Sequence, residues 1–272
     1  MKKNMNRNLQ TTSNIKLYCK YISAIIKETM EYKLSFFLMV IGRFLISFSE
    51  FIALSFLFSG FTQIKGYTYS DILLCFSVMQ MSFAIAECIG RGFKVFSSMV
   101  KRGEFDRILL RPRSTILQLL GMRFDLGRIG PLATAIITLI IDVRKSQILW
   151  NTGRIITLFF MISGGTLLFL SLFMFGATFC FFSVEETELT NVLTYGAKEH
   201  GKYPIDVYGK GIMRFCTYII PYTLIQYYPL LYLLGKTDNW LYAFYPFGVV
   251  FFLLLCYGFW RLGLRNYKSC GA

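Results

Sequence analysis

A chain of 272 residues that is 55% hydrophobic and 18% aromatic but only 16% charged, with a mean hydropathy of +0.51, is not a soluble globular domain. A bilayer-spanning helix takes about 20 mostly apolar residues, and the apolar stretches fill more than half the sequence. That excludes disordered, collagen-like and disulfide-framework classes and leaves no room for a soluble catalytic domain. The net charge of +14 raises nucleic acid as a partner, but the basic residues sit between apolar blocks. Retention of positive loops on one side of a membrane, together with anionic lipid, accounts for them without nucleic acid.

Residues 1–14 are polar and basic, with neither an apolar core nor a small-residue cleavage site, so an uncleaved cytoplasmic N-terminus is expected. From Ile15 to Lys33 the apolar positions 15, 18, 22, 25 and 26 oppose Lys16, Lys20, Ser23 and Lys27. This spacing predicts an amphipathic helix lying in the inner interface. Apolar blocks follow at 34–61, 71–90, 115–141, 155–182, 212–234 and 241–262, giving about six predicted transmembrane helices in an all-α polytopic membrane protein, one transmembrane domain over 1–272. The third block is polar in its first half. Seven basic residues in the N-terminal segment, seven in 91–114, and Arg261, Arg265 and Lys268 face Lys65, Arg144, Lys145, Arg154 and Lys236 on the other side, which predicts both termini in the cytoplasm. Trp150 and Trp240 fall at predicted outer span ends and Trp260 at an inner one, as an aromatic belt requires. The seven cysteines (19, 75, 88, 180, 216, 256, 270) have no C-x-x-C pair and read as small buried hydrophobes.

The connection 91–114, RGFKVFSSMVKRGEFDRILLRPRS, is too long for a simple turn. Phe93, Phe96, Met99 and Val100 follow helical spacing, and Lys101, Arg102 and Gly103 form a basic last turn with a glycine stop. A second short amphipathic piece runs from Glu104 to Leu110 and ends at Pro112. Phe105, Ile108 and Leu109 form its apolar face, ringed by Arg102, Glu104, Asp106, Arg107 and Arg111. That composition suits a docking patch with a charged rim; packing of the same face under its own bundle is the other reading.

The stretch from Ser183 to Gly211 carries Glu185, Glu186, Glu188, Lys198, Glu199, His200 and Lys202. By hydropathy it is a cytoplasmic loop. The alternative is a short polar helix near 187–202 that crosses within the bundle, making 212–234, interrupted by Pro221 and Pro229, a re-entrant outer hairpin. In either case the C-terminus stays inside.

Charged and polar side chains also lie within spans, where an arginine costs about 2.5–3.5 kcal/mol and should face a partner or an aqueous path. Arg43, Ser47 and Glu50 share one face of the first span. Gln80 and Glu87 share a face of the second, with Arg91 one turn beyond Glu87, while Ser82, Ala86 and Gly90 make a small-residue ridge fit for close packing. Arg123, Asp125 and Arg128 make the third span polar at its start. These residues either line a conduit or a seam between permeases, or hold the bundle together as ion pairs. The late aromatics Tyr218, Tyr222, Tyr227, Tyr228, Tyr232, Tyr242, Phe244 and Tyr245 suit a flat cationic or amphipathic substrate and equally suit interface anchoring.

A lone histidine, His200, cannot supply a two- or three-His metal site, and no serine or cysteine has an evident His and acid partner, so neither a metal nor a catalytic site is expected. Gly235-Lys236-Thr237 imitates the end of a phosphate-binding loop, but the first glycine of that motif would fall on Leu230. Any ATP that drives this chain must therefore be bound elsewhere.

The order of features resembles the permease subunits of bacterial type-2 ATP-binding-cassette (ABC) exporters. These features are an interfacial helix, two spans, a loop reading GEFDRILLRPRS, further spans, Tyr203-Pro204, Pro221-Tyr222, Tyr228-Pro229 and a terminal FWRLGLRNYKSCGA. More narrowly it resembles the branch with paired permeases that includes viologen exporters. The polar run Lys198-Glu199-His200 just before Tyr203 departs from that pattern. The resemblance implies a half-transporter in a bacterial inner membrane, with two permeases, identical or homologous, and two ATPase subunits that hold ATP and Mg. It makes 91–114 the coupling loop to the ATPase, with Gly103, Glu104, Phe105, Asp106, Arg107, Ile108, Leu109, Arg111 and Pro112 as its contact residues, Phe105 as the apolar anchor and Asp106 or Arg107 holding register. It further implies export of a hydrophobic or amphipathic drug, toxin or lipid-like compound. Two rival readings are an ion-coupled secondary transporter or channel, and a membrane enzyme or assembly scaffold built on Glu185 to Glu199.

Overall fold

The computed structural model describes residues 2–146, 148–183 and 188–268, with side chains from Lys16 onward other than Leu189. The expected cluster members Glu185 and Glu186, as well as Cys270, lie outside the described residues. Helix α1 runs Lys2–Glu31, longer than the periodicity suggested, and breaks at Tyr32 into α2, Lys33–Gly60. Its expected amphipathicity holds: Tyr18, Ile22 and Ile25 are half-buried, and Lys16, Lys20, Ser23 and Lys27 are exposed. A hairpin of β1 (Gln63–Ile64) and β2 (Tyr67–Thr68) turns at Lys65-Gly66, both with positive φ. The positive φ at both turn positions lets two short strands reverse within two residues.

Helix α3, Tyr69–Lys94, starts on a capping box: Thr68 N–H donates to Asp71 Oδ2 at 2.9 Å and Asp71 N–H to Thr68 Oγ1 at 3.4 Å. It is the buried spine of the bundle, with Ile72, Leu74, Phe76, Ser82 and Ala86 all without exposed surface. The ridge Ser82, Ala86, Gly90 packs as expected, since Ser82 Oγ donates to the Ile162 carbonyl at 3.2 Å and Gly90 abuts Phe173. The loop end of the molecule then carries α4 (Phe96–Lys101), α5 (Glu104–Leu109) and α6 (Thr115–Met122).

The block 115–141 is not one helix. Its polar start forms α6, an extended link through Arg123 and Asp125, and a 3-10 turn, Leu126–Arg128, before α7, Ile129–Lys145. The reason is that Asp125 uses its side chain to cap Gly127 N–H at 3.1 Å and binds arginines, which an uninterrupted helix would prevent. Helix α8, Thr152–Phe179, is capped by Asn151, which accepts from Arg154 N–H at 2.8 Å.

After the undescribed stretch comes a polar helical run of α9 (Glu188–Asn191), a π-turn at Val192–Gly196 and α10 (Ala197–His200), followed by a 3-10 turn at Ile205–Tyr208. It meets α3 in reverse order. Thr190 packs on Gly176 of α8 near the loop end, and Tyr195 reaches Glu87. Lys198 lies 5.8 Å from the Phe83 ring, Lys202 5.9 Å from the Phe76 ring, and Asp206 accepts from the Tyr67 hydroxyl at 3.0 Å. This polar run therefore traverses the bundle from the loop end to the hairpin end, antiparallel to α3. The loop reading of 183–211 is corrected for its described part, since its charges are paired inside the bundle.

The block 212–234 is correspondingly not a span. It is broken into α11 (Lys210–Tyr218), α12 (Tyr222–Ile225) and α13 (Tyr227–Leu233) at Pro221 and Gln226. It starts beside Asp206 and ends at Lys236, whose Nζ donates to the Gly66 carbonyl at 3.3 Å, so it enters and leaves at the hairpin end. Its side chains tie it to the backbone of the polar run and to its own first helix. Gln226 donates to the Gly201 and Tyr203 carbonyls at 2.5 and 2.9 Å, Tyr222 hydroxyl donates to the Leu193 carbonyl, and Thr223 donates to the Cys216 carbonyl at 3.2 Å. Pro221, Tyr222 and Pro229 are buried in this hairpin, Tyr228 stacks with Tyr242 and Tyr245, and Tyr203-Pro204 makes the turn before it. A 3-10 stretch, Trp240–Gly248, leads into α14, Val249–Asn266.

Among the described residues five helical segments are long and apolar enough to cross a membrane: Lys33–Gly60, Tyr69–Lys101, Leu126–Lys145, Thr152–Phe179 and Trp240–Asn266. With the polar run they make six traverses, and the two chain ends emerge from the loop end. Cys75, Cys180, Cys216 and Cys256 are buried, as expected of small hydrophobes, whereas Cys88 is only partly buried and Cys19 is exposed. Trp240 is exposed, but Trp260 is 1% exposed and belongs to the core, not to an interfacial belt.

Candidate functional site: an end knob and a charged cleft

Two features stand out above the packing, and the first is the knob at 96–114. Gly103 has φ +69, the left-handed conformation that a glycine stop between two short helices requires, as the sequence predicted. Phe105 and Ile108, expected to face a partner, are 0% and 3% exposed. Phe105 packs edge-on against Phe96 at 4.9 Å and Tyr267 at 5.1 Å and tilts on Phe181 at 5.6 Å, while Trp260 closes the same cluster against Phe96 and Phe181. The reason is geometric: a six-residue amphipathic helix has one apolar face, and the bundle end claims it.

The face left outward carries Leu109 and Leu110, 40% and 85% exposed, among exposed Arg102, Arg107, Arg111, Pro112 and Arg113. The Arg102–Glu104 pair at 2.7 Å holds the Glu104 carboxyl below the usual range through its hydrogen bond to the guanidinium. Asp106 Oδ1 accepts from the Tyr267 hydroxyl at 3.0 Å, and Gln118 Nε2 donates to the Ile108 and Arg113 carbonyls at 3.3 and 3.2 Å. The knob is thus braced on α6, on the end of α8 and on the chain beyond α14.

The second feature is ionic. Glu87, fully buried, receives Lys94 and Arg128 at 2.7 Å each, Arg91 at 4.0 Å and the Tyr195 hydroxyl at 2.7 Å, all on Oε1. Asp125 binds Arg43 at 2.6 Å and lies 3.7 and 4.0 Å from Arg128 and Arg91. Glu50 takes Lys198 at 3.3 Å and Lys202 at 3.2 Å, both of which also bind Glu199. Gln80 Nε2 donates to Ser47 Oγ at 2.6 Å. The sequence reading gave Arg43, Ser47, Glu50, Gln80, Glu87, Arg123, Asp125 and Arg128 as a conduit lining, a seam or bundle ion pairs on three spans, and the structure brings all but Arg123 to one cleft or to the ion pairs behind it. Arg123 is exposed on the link outside it.

Lys94, Tyr195, Lys198 and Lys202 were missed as members. The signal for Lys94 was present, two helical turns after Glu87, but the loop assignment hid it. That Tyr195 and the two lysines reach the cluster depends on the path of the polar run. His200, the sole histidine, stacks edge-on with Tyr208, and among the described residues it has no acid partner and no group that could hold a metal ion occurs.

No curated protein and no solved structure is similar enough to match. A family model described as "ABC-2 family transporter protein" matches residues 44–271, from within α2 to the C-terminal tail, and so takes in both the knob and most of the cleft. The chain belongs to the ABC-2 family of transporter proteins and is a type-2 ABC permease, a membrane-embedded transport subunit whose family implies an ABC ATPase as partner.

Proposed function

We propose that this chain is the membrane-spanning subunit of an ATP-driven exporter, in which a separate ATPase dimer binds ATP and Mg and docks on the knob at 96–114. The loop end then faces the cytoplasm with both termini, and a second permease, identical or homologous, completes the conduit. The supporting observation is the knob's division of labour. Its inner face is locked to the bundle by Phe96, Phe105, Phe181, Trp260 and Tyr267, and its outer face offers Leu109 and Leu110 inside a rim of arginines. An apolar anchor with a basic rim fits an acidic-edged groove on a soluble partner.

Because the knob is braced by packed aromatics, movement of the docked ATPase would be passed to the far ends of α8 and α14. The transported compound is hydrophobic or amphipathic, in keeping with the apolar groove along α8 and α14 lined by Leu172, Phe175, Phe252, Leu255 and Phe259. Affinity purification of the tagged chain from its native membrane in nanodiscs should retain an ATPase subunit, and Leu110→Asp with Arg111→Glu should release it while the permease stays folded. A clean permease oligomer with no nucleotide-binding partner would overturn the assignment.

A further inference from the structure

The charges around the cleft do not balance. Four cations, Arg43, Arg91, Lys94 and Arg128, share two carboxylates, Glu87 and Asp125. Across the cleft Lys198 and Lys202 share Glu50 and Glu199 and so break even. Among the described residues the cluster therefore carries a surplus of two positive charges, Lys94 and Arg128 being mostly buried and Arg43 and Arg91 27% and 37% exposed at the rim of the bundle, where charge left uncompensated by a partner or water is costly. Gln80 Oε1, on a residue 4% exposed, has no donor, and Arg128 Nε, though ion-paired with Asp125 Oδ2 at 3.7 Å, has no acceptor within hydrogen-bond distance. Both residues line a cleft of about 120 Å³ together with Arg43, Ser47, Glu50 and Lys198. Its apolar edge is Ile46, 66% exposed, which is continuous along α2 with exposed Leu38, Ile41 and Leu45.

We propose that this cleft binds the anionic headgroup of an amphiphile, a phosphate or carboxylate, whose apolar chain lies along the exposed side of α2. The anion supplies the missing negative charge to Arg43 and Arg128, and a hydroxyl or amine beside it donates to Gln80 Oε1. The inference rests on the transporter reading above and deepens it by giving the cargo a charge. It also separates the cleft from two other occupants: a dicationic cargo would meet like charge, and a second copy of this chain laid on the same face would bring the same surplus with it.

The test is binding to the purified full-length chain in nanodiscs of neutral lipid, read by native mass spectrometry and by thermal shift. The probes share one alkyl chain: dodecyl phosphate, dodecyltrimethylammonium and dodecyl maltoside, with inorganic phosphate as a fourth. Dodecyl phosphate should bind at least tenfold more tightly than the other three. Gln80→Glu, nearly isosteric and adding a carboxylate to the cleft, should weaken dodecyl phosphate about tenfold and leave dodecyl maltoside unchanged, and Arg128→Gln should do the same. Equal binding of the anionic and cationic probes would overturn the proposal, as would indifference of dodecyl phosphate to both substitutions. Inorganic phosphate as potent as dodecyl phosphate would overturn the amphiphile. Because the measurement needs no ATPase, loss of the anion preference with the ATPase still recovered refutes only the cleft, and the reverse pattern refutes only the exporter.

Discussion

At the scale of single residues, Phe105 and Leu110 show how two apolar side chains five positions apart in one short loop take opposite roles. Phe105 fills a slot between Phe96, Phe181 and Tyr267 with no exposed surface. Phe105→Ala should therefore destabilise the permease by about 3–5 kcal/mol, the usual cost of emptying an aromatic slot in a core. Thermal unfolding in detergent would read this as a lowered midpoint and a poorer folded yield. Leu110→Asp places a charge at a position already 85% exposed and should leave that midpoint unchanged while reducing recovery of the ATPase. If the two variants exchanged these outcomes, the docking face would be the one now buried. Glycine has a similarly local part at Gly92, where a Cβ would come 1.9 Å from the Leu119 carbonyl oxygen of α6. Since a backbone oxygen cannot swing aside as a side chain can, Gly92→Ala should push α6 off α3 and cost about 1–3 kcal/mol in the same unfolding assay.

At the scale of elements, the polar run through α9 and α10 decides the topology. Six traverses with two ends at one face require that residues 188 and 208 lie at opposite ends of the bundle, and the pairings with Glu87, Glu50 and Tyr67 set them there in order. In an otherwise cysteine-free background, Asn191→Cys and Lys210→Cys, both at exposed positions, should label from opposite sides of the membrane with an impermeant maleimide. Labelling from one side would restore the loop reading. The same element explains why the hairpin α11–α13 can be irregular. A chain break in lipid would strand carbonyl groups, whereas here Gln226 and Tyr222 bridge it to the polar run. At the hairpin end, burial and the neighbouring Asp206 raise the Tyr67 hydroxyl above the usual phenol range, so it stays a neutral donor to that carboxylate.

At the scale of the whole molecule, α2, α3, the turn before α7 and the polar run are held together by two ion-pair clusters, six charged side chains around Glu87 and Asp125 and four around Glu50 and Glu199, and the energetics within each are collective. Glu87 alone serves three cations and a tyrosine hydroxyl. Glu87→Gln should lower stability by about 3–5 kcal/mol, because it leaves buried cations facing one another. Adding Lys94→Gln to that variant should recover part of the loss, since the second change removes one of the orphaned charges. Purely additive losses in thermal unfolding would show that the charges act independently, with no shared network.

Much of this was legible in the sequence because it depends on transfer from water and on local spacing. The apolar blocks at 34–61, 71–90, 155–182 and 241–262 became long helices, since a run of apolar side chains has no stable place but lipid or core. The glycine stop at Gly103 and the shared face of Arg43, Ser47 and Glu50 followed from chain geometry alone, whereas the likeness to ABC permeases came from the resemblance of the chain's order of features, and the family match over residues 44–271 shows that family. Three matters waited on the tertiary structure. Hydropathy reads Lys198, Glu199 and Lys202 as solvent-seeking because it counts each charge by itself, and only their partners on α2 make a buried path affordable. Amphipathicity gives α5 an apolar face but not what covers it, because the bundle end and a partner ATPase present the same chemistry to that face. The cleft's surplus of positive charge depends on counting neighbours drawn from positions 43 to 202, and no local window contains them.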